Sequence, residues 1–329
     1  MGVPDNMTRW RSSIPLAVLC WPALATAQST GFQGPISGFV YNHDSRSVRP
    51  LLGVPGATHI GSPLLADVDF ASTAPGSDSA FVIRAGRSIF MRGVAGPQPV
   101  EYPIDGLLAA VDRVVWTPDG SAALLYSSST NQLQRVRLSN TAPAADPPLD
   151  LSPWGPPAAL AIDPAGRQIA FGVPQSGIYL FSAGQSPALL SPAAQPAAAA
   201  FDSNGQNLYV IDLDQQQILK IESGSVSVLA SVAQPDGSAA SPVGLAVSGD
   251  GRYVFFADNA AKAIRVYETS SGNLAATLPL DFTPTRFEAL SAAPTILLNG
   301  DNPTEWLLVV DARQLPGLFF VPALPEAAQ

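Results

Sequence analysis

Short apolar runs, each closed by a polar turn containing glycine, recur along this chain at a spacing near forty residues. The clearest copy is Pro242-Val-Gly-Leu-Ala-Val-Ser-Gly-Asp-Gly251, followed by Tyr253-Val-Phe-Phe-Ala-Asp-Asn259 and Ala263-Ile-Arg-Val-Tyr267. It predicts a strand, a tight turn, a second strand, a polar turn and a third strand. A fixed period of that length built from short strands predicts an all-β architecture, a β-propeller.

Registering the copies on their turns supports the period. Pro157, Pro196 and Pro242 each stand nine residues before Gly166, Gly205 and Gly251, and Val111 stands nine before Gly120. The turns are Thr117-Pro-Asp-Gly120, Asp163-Pro-Ala-Gly166, Asp202-Ser-Asn-Gly205 and Ser248-Gly-Asp-Gly251. Each places Asp, Asn or Pro close before a glycine, because a reversal between strands often needs positive φ. Two weaker copies span Leu64–Ile104 and Arg286–Ala323. Ahead of them, Ile36–Tyr41 and Ser47–Leu52 read as strands around an Asn42-His43-Asp44 turn. The expected architecture is six to seven four-stranded blades in a ring closed by the N-terminal strands. Those strands either complete a seventh blade or cover the seam of a six-bladed ring, and either way they hide edge strands. The expected organisation is a signal peptide at 1–27, closing strands at 28–62, blades over 63–324 in one domain with them, and a short tail at 325–329.

Composition sharpens this picture. The 32 prolines disfavour long helices, where each interior proline costs about 3 kcal/mol. Prolines suit turns and strand starts, and 47% hydrophobic residues argue against a disordered Pro/Gly-rich chain. The Ala-rich run Pro192–Ala200 is read as a linker entering an inner strand, where alanine lets sheets crowd near the axis.

The N-terminus has the pattern of an export signal. Arg9 and Arg11 precede an apolar core at Ile14–Leu24, and Ala25-Thr-Ala27 supplies small residues before cleavage between Ala27 and Gln28. That core is too short to span a bilayer, which takes roughly 20 residues. Leu19 before Cys20 does not fit a lipoprotein signal, so lipid anchoring is not expected. Cleavage removes Arg9, Arg11 and Asp5 from totals of 17 basic and 26 acidic residues, leaving a formal charge near −10 and no cysteine. A periplasmic or extracellular bacterial protein held by its core, without disulfides, is consistent with this. An acidic chain with no basic cluster argues against nucleic acid and anionic membrane surfaces as partners.

The strand pattern resembles NHL and YVTN-type propeller repeats. Pro242–Val247, the Gly249-Asp-Gly251 turn, Tyr253–Asn259 and Ile264–Tyr267 look like one full NHL-type copy. Pro196–Phe201, Asn207–Asp212 and Ile218–Ile221 form a weaker one. The resemblance covers most of residues 64–323 and implies a scaffold shared by binding modules and lactone-hydrolysing enzymes.

Candidate chemistry is sparse. His43 and His59 are the only histidines, and no serine-hydrolase elbow, zincin or phosphate-loop motif occurs. Inner strands are lined by alanine and glycine in three copies, at Ala158–Ala161, Ala197–Ala200 and Gly244–Ala246. In the other three they carry Asp67 and Asp69, Asp112 and Arg113, Arg286 and Glu288. These six charges mark an expected polar sector of the axial channel or its mouth. Mutual pairing at solvated strand ends is the plainer explanation. A divalent cation such as calcium would draw on Asp69, Glu288, Asn299, Asp258 and Asn259, although turn formation alone accounts for Asp258-Asn259. The expected function is therefore a non-catalytic binding scaffold for a protein, peptide or glycan at one propeller mouth, with no cofactor. The alternative is a metal-dependent hydrolase or lactonase with a cation in the channel. Trp154 and Phe282 are candidate loop contacts, and Trp154 is equally read as core packing.

Overall fold

The computed structural model describes residues 2, 34–138, 143–182, 184–234, 236–291, 295–298, 307–311 and 315–322, with backbone only at 291 and 307–311. Apart from Gly2, the positions of the expected signal peptide and the Ala27–Gln28 cleavage pair lie outside these residues, as does Asn299. Among the described residues there is no helix, and 28 strands form seven antiparallel sheets.

The first sheet is β1 (Ile36–Asn42), β2 (Ser47–Leu52) and β3 (His59–Ile60). The second is β4 (Phe70–Thr73), β5 (Ala80–Arg84), β6 (Arg87–Arg92) and β7 (Val100–Tyr102). The third is β8 (Arg113–Trp116), β9 (Ala122–Ser127), β10 (Gln132–Leu138), and an outer edge in two pieces, β11 (Pro143–Ala145) and β12 (Leu149–Asp150). The fourth is β13 (Ala159–Ile162), β14 (Gln168–Val173), β15 (Gly177–Ser182) and β16 (Ala188–Ser191). The fifth is β17 (Pro196–Phe201), β18 (Asn207–Asp212), β19 (Gln217–Glu222) and β20 (Ser225–Ser231). The sixth is β21 (Pro242–Val247), β22 (Tyr253–Asp258), β23 (Ala263–Glu268) and β24 (Leu274–Pro279). The seventh is β25 (Phe287–Ser291), β26 (Thr295–Leu298), β27 (Leu307–Asp311) and β28 (Gly317–Val321). Six sheets are thus complete four-position blades.

Blade faces are buried on both sides, so second strands read as continuous apolar runs rather than alternating ones. All six residues of β9 are buried. Seven hydrophobic clusters each join two consecutive sheets. Leu124 and Tyr126 of the third sheet meet Leu160 and Phe171 of the fourth. Phe255 of the sixth meets Ile296 and Leu298 of the seventh. The cluster of Leu290, Leu297 and Val321 with Val40 and Leu51 joins the last sheet to the first.

The inner strands of the six complete blades run the same way. Arg113 at the start of β8 bonds Pro157 and Ala158 at the start of β13, and Gly205 after β17 lies against Asp163 and Pro164 after β13. β1 runs opposite to its neighbours. Its beginning meets strand ends: a methyl on Gly38 would stand 3.2 Å from Leu290, and Thr73 Oγ1 donates to Phe39 O at 3.3 Å. Its end meets strand beginnings, since Arg286 Nη1 donates to Tyr41 O at 3.5 Å and Tyr41 Oη donates to Asp69 O at 2.8 Å. Gly76 N, just past β4, donates to Leu290 O of β25 at 3.3 Å. The N-terminal strands therefore back the seam between the second and seventh sheets, with no strand from the C-terminus joining their sheet among the described residues.

One turn is built in two interchangeable ways. Gly120, Gly166, Gly205 and Gly251 all sit at φ between +66° and +71°, and each donates its N–H to the residue three before it. At Asp163, one carboxylate oxygen accepts both following amides, Arg167 N and Gln168 N. Where the first residue is a hydroxyl, that work is divided. Tyr253 N donates to Ser248 Oγ at 2.9 Å, Arg252 N donates to Asp250 Oδ1 at 3.0 Å, and Ser248 Oγ donates to Asp250 at 2.6 Å. Thr117 and Asp119 divide the same two amides of Ser121 and Ala122. Asp250→Ala is expected to cost about 1 kcal/mol in urea denaturation, the net worth of such a bond. Adding Ser248→Asp should restore most of it, and no recovery in the double variant would refute the exchange.

Candidate functional site

A cavity of 530 Å³ runs along the axis, walled by β4, β8, β13, β17, β21 and β25. Each of these is the innermost strand of its blade, so its free backbone edge faces the axis. Alanines at 158, 159, 161 and 197–200, with Gly244, keep side chains short enough for the channel to stay open. Glycine at 244 is required by the next blade, because a Cβ there would fall 2.7 Å from Phe287. The Ala-rich run Pro192–Ala200 does lead into an inner strand, which begins at Pro196.

The two mouths differ. Arg113 and Glu288 line the channel where the inner strands begin, while Trp116, Phe201, Asp202 and Ser248 line it where they end. Trp116 Nε1 donates to Ser72 Oγ at 2.9 Å and its ring stands edge-on to Phe90. Asp202 accepts from Gln206 N at 2.8 Å and from Asn207 Nδ2 at 2.6 Å. Trp116, Phe201 and Phe287 had no signal beyond their place in each copy's first strand.

Of the six expected channel charges, Arg113 and Glu288 reach the cavity, and the other four do not line it. Asp67 is exposed at φ +55° on the segment before β4. Asp69 pairs with Arg46. Asp112 accepts from the amide and hydroxyl of Ser128, tying the residue before β8 to the turn after β9. Arg286 Nε pairs with Glu288 at 2.8 Å. These four precede the strands whose inner edges they were expected to share, so they sit on the rim.

The described residues among the expected cation ligands are likewise held by protein partners. Asp258 closes β22 and is fully buried, accepting Gln234 Nε2 at 2.7 Å and Ser241 N at 3.0 Å. Asp212 makes the equivalent clasp to Gln195 N in the fifth sheet. Asn259 donates to Pro284 O at 3.1 Å. Among the described residues, no three His, Cys, Asp or Glu side chains are grouped to hold a metal ion. His43 is 74% exposed beside Asp44, and His59 lies in outer strand β3. Trp154 is core packing, edge-on to Phe171 and tilted against Tyr179, and Phe282 packs into the cluster between the sixth and seventh sheets.

Arg113 is the least compensated of the lining charges. Its Nη1 and Nη2 donate to Pro157 O at 2.7 Å and Ala158 O at 3.1 Å, and its guanidinium lies over the Tyr126 ring. Burial pulls its pKa below the usual arginine range, against the raising influence of Tyr126 and Asp112. An arginine starts so high that it stays charged.

No family model matches the chain, and no curated protein matches it in sequence. Solved structures do match its fold. Hydrazine synthase from Kuenenia stuttgartiensis superposes with a TM-score of 0.60 at 12% identity, over 86% of this chain and 98% of that one. A functionally unknown protein from Desulfotomaculum acetoxidans gives 0.58 at 16% identity, over 87% and 99%. A chain of the nidogen/laminin complex gives 0.51 at 14% identity, over 76% and 92%. The fold is a β-propeller. Identities this low extend the likeness to architecture alone. No helix among the described residues is long and apolar enough to cross a membrane.

Proposed function

We propose that this chain is an exported binding propeller, built from NHL-like repeats, whose axial channel receives the ligand. The observation that carries the reading is the open 530 Å³ channel, walled by alanines and free strand edges with a few polar groups at its mouths. Binding cavities for small molecules span roughly 300–1,000 Å³ and combine apolar walls with a few convergent polar groups. The carboxylates that would do chemistry are tied instead to arginines, amides and hydroxyls of the blades. That arrangement favours holding a ligand over transforming it. Export rests on the N-terminal pattern of Arg9, Arg11 and the apolar core at Ile14–Leu24.

A thermal-shift screen of peptides, glycans and small acids on the purified protein tests this. Ala197→Trp, at a half-buried wall position outside the blade cores, should abolish stabilisation by any true channel ligand. Ligands that stabilise the Trp variant as well as the parent would place the site elsewhere.

A further inference from the structure

We propose that the channel binds a slender monocarboxylate, with its carboxylate on Arg113 and its body directed along the alanine wall. This rests on the channel being the ligand site. Arg113 lines the cavity at the mouth where the inner strands begin. Two of its N–H groups are occupied by the carbonyls of Pro157 and Ala158, and among the described residues no carboxylate pairs with it. A guanidinium carries five donors in a planar fork that matches a carboxylate, so the remaining donors are available to one. The nearest acid in sequence, Asp112, already accepts both the amide and the hydroxyl of Ser128. The other lining charge at this mouth, Glu288, is neutralised by Arg286 at 2.8 Å. Arg113 therefore offers a ligand donors that, among the described residues, no carboxylate occupies.

The far mouth sets the ligand's polarity. Asp202 lines the cavity just after β17 ends and brings negative charge there. A second anionic group on the ligand would meet it, so a dicarboxylate is disfavoured. Between the mouths the wall offers Val114, Leu160, Ala198 and Leu245 together with unpaired strand-edge amides and carbonyls. A short peptide with a free C-terminus or a medium-chain fatty acid both present this chemistry.

Calorimetry on the purified protein distinguishes the sources, using acetyl-Ala-Ala-Ala against its C-terminal amide and decanoate against decanol. The acid of at least one pair should bind about tenfold or more tightly than its neutral counterpart, the scale of a charge-assisted hydrogen bond. Ala158→Glu places a carboxylate beside Arg113 without altering the arginine, at an exposed position. It should weaken the acid about tenfold, and Ala158→Gln, which adds the same bulk at this wall position without the charge, should weaken it clearly less; equal losses in the two variants would count against the carboxylate assignment. Equal affinity for acid and neutral probes, absence of binding by either acid, or undiminished affinity in Ala158→Glu would overturn the carboxylate assignment. A neutral ligand lost in Ala197→Trp would leave the channel reading standing.

Discussion

Asp258→Ala is expected to destabilise the protein by about 3–5 kcal/mol, the range for breaking a buried charge network from one side. The carboxylate is fully buried, and its Oδ1 accepts Ser241 N at 3.0 Å, Ala260 N at 3.1 Å and Ala261 N at 3.3 Å. Its Oδ2 accepts Gln234 Nε2 at 2.7 Å and stands 3.7 Å from Arg265 Nη1. Arg265 is itself buried between Val232 O and the rings of Phe256 and Tyr267. Removing Asp258 strands that guanidinium and several amides at once. Asn keeps an acceptor for the amides but loses the charge, so Asp258→Asn should cost clearly less. Guanidinium chloride denaturation of both variants checks the order. A loss below about 1 kcal/mol for Ala would mean water replaces the carboxylate, and the clasp does not hold the blade.

Gly244→Ala is expected to cost about 1–3 kcal/mol through overpacking, although its backbone is not in the left-handed region. The added methyl would stand 2.7 Å from Phe287 Cβ on the next blade. Phe287 cannot swing freely, since its ring meets Phe255 edge-on at a centroid distance of 6.0 Å. Combining the change with Phe287→Gly, which removes both the Cβ and the ring, should make the added methyl cost less than it does in the parent. The two sites are in direct apposition, so their effects should couple by about 0.5–3 kcal/mol. Strict additivity in that double variant would show that the blades do not meet there as described.

The fold was readable because its decisive signals are local. The glycine turns carry their own hydrogen-bonding groups, and the strands after them are continuous apolar runs because both faces are buried. Outer strands gave little warning. Ser225–Val228 of β20 alternates serine and valine on an exposed edge, where no core imposes a pattern. The direction of β1 depends on packing against Leu290 and Asp69, each far away in sequence, and could not be read locally. At the site, Arg113 and Glu288 were visible as charges within inner strands. Asp67 and Asp112 look the same in sequence, yet they lie a few residues or one residue before the strand and so fall on the rim. Phe287 and Trp116 were hidden because an aromatic in a strand reads equally well as core.

The contrary direction of β1 bears on which strands border the axis. β1 runs against the inner strands beside it and pairs with β2, as a second strand does in the complete blades. The first sheet thus corresponds to a copy read from its middle, with its second, third and fourth positions filled. That copy therefore adds no wall to the axial channel, which is bordered by the inner strands of the six complete blades.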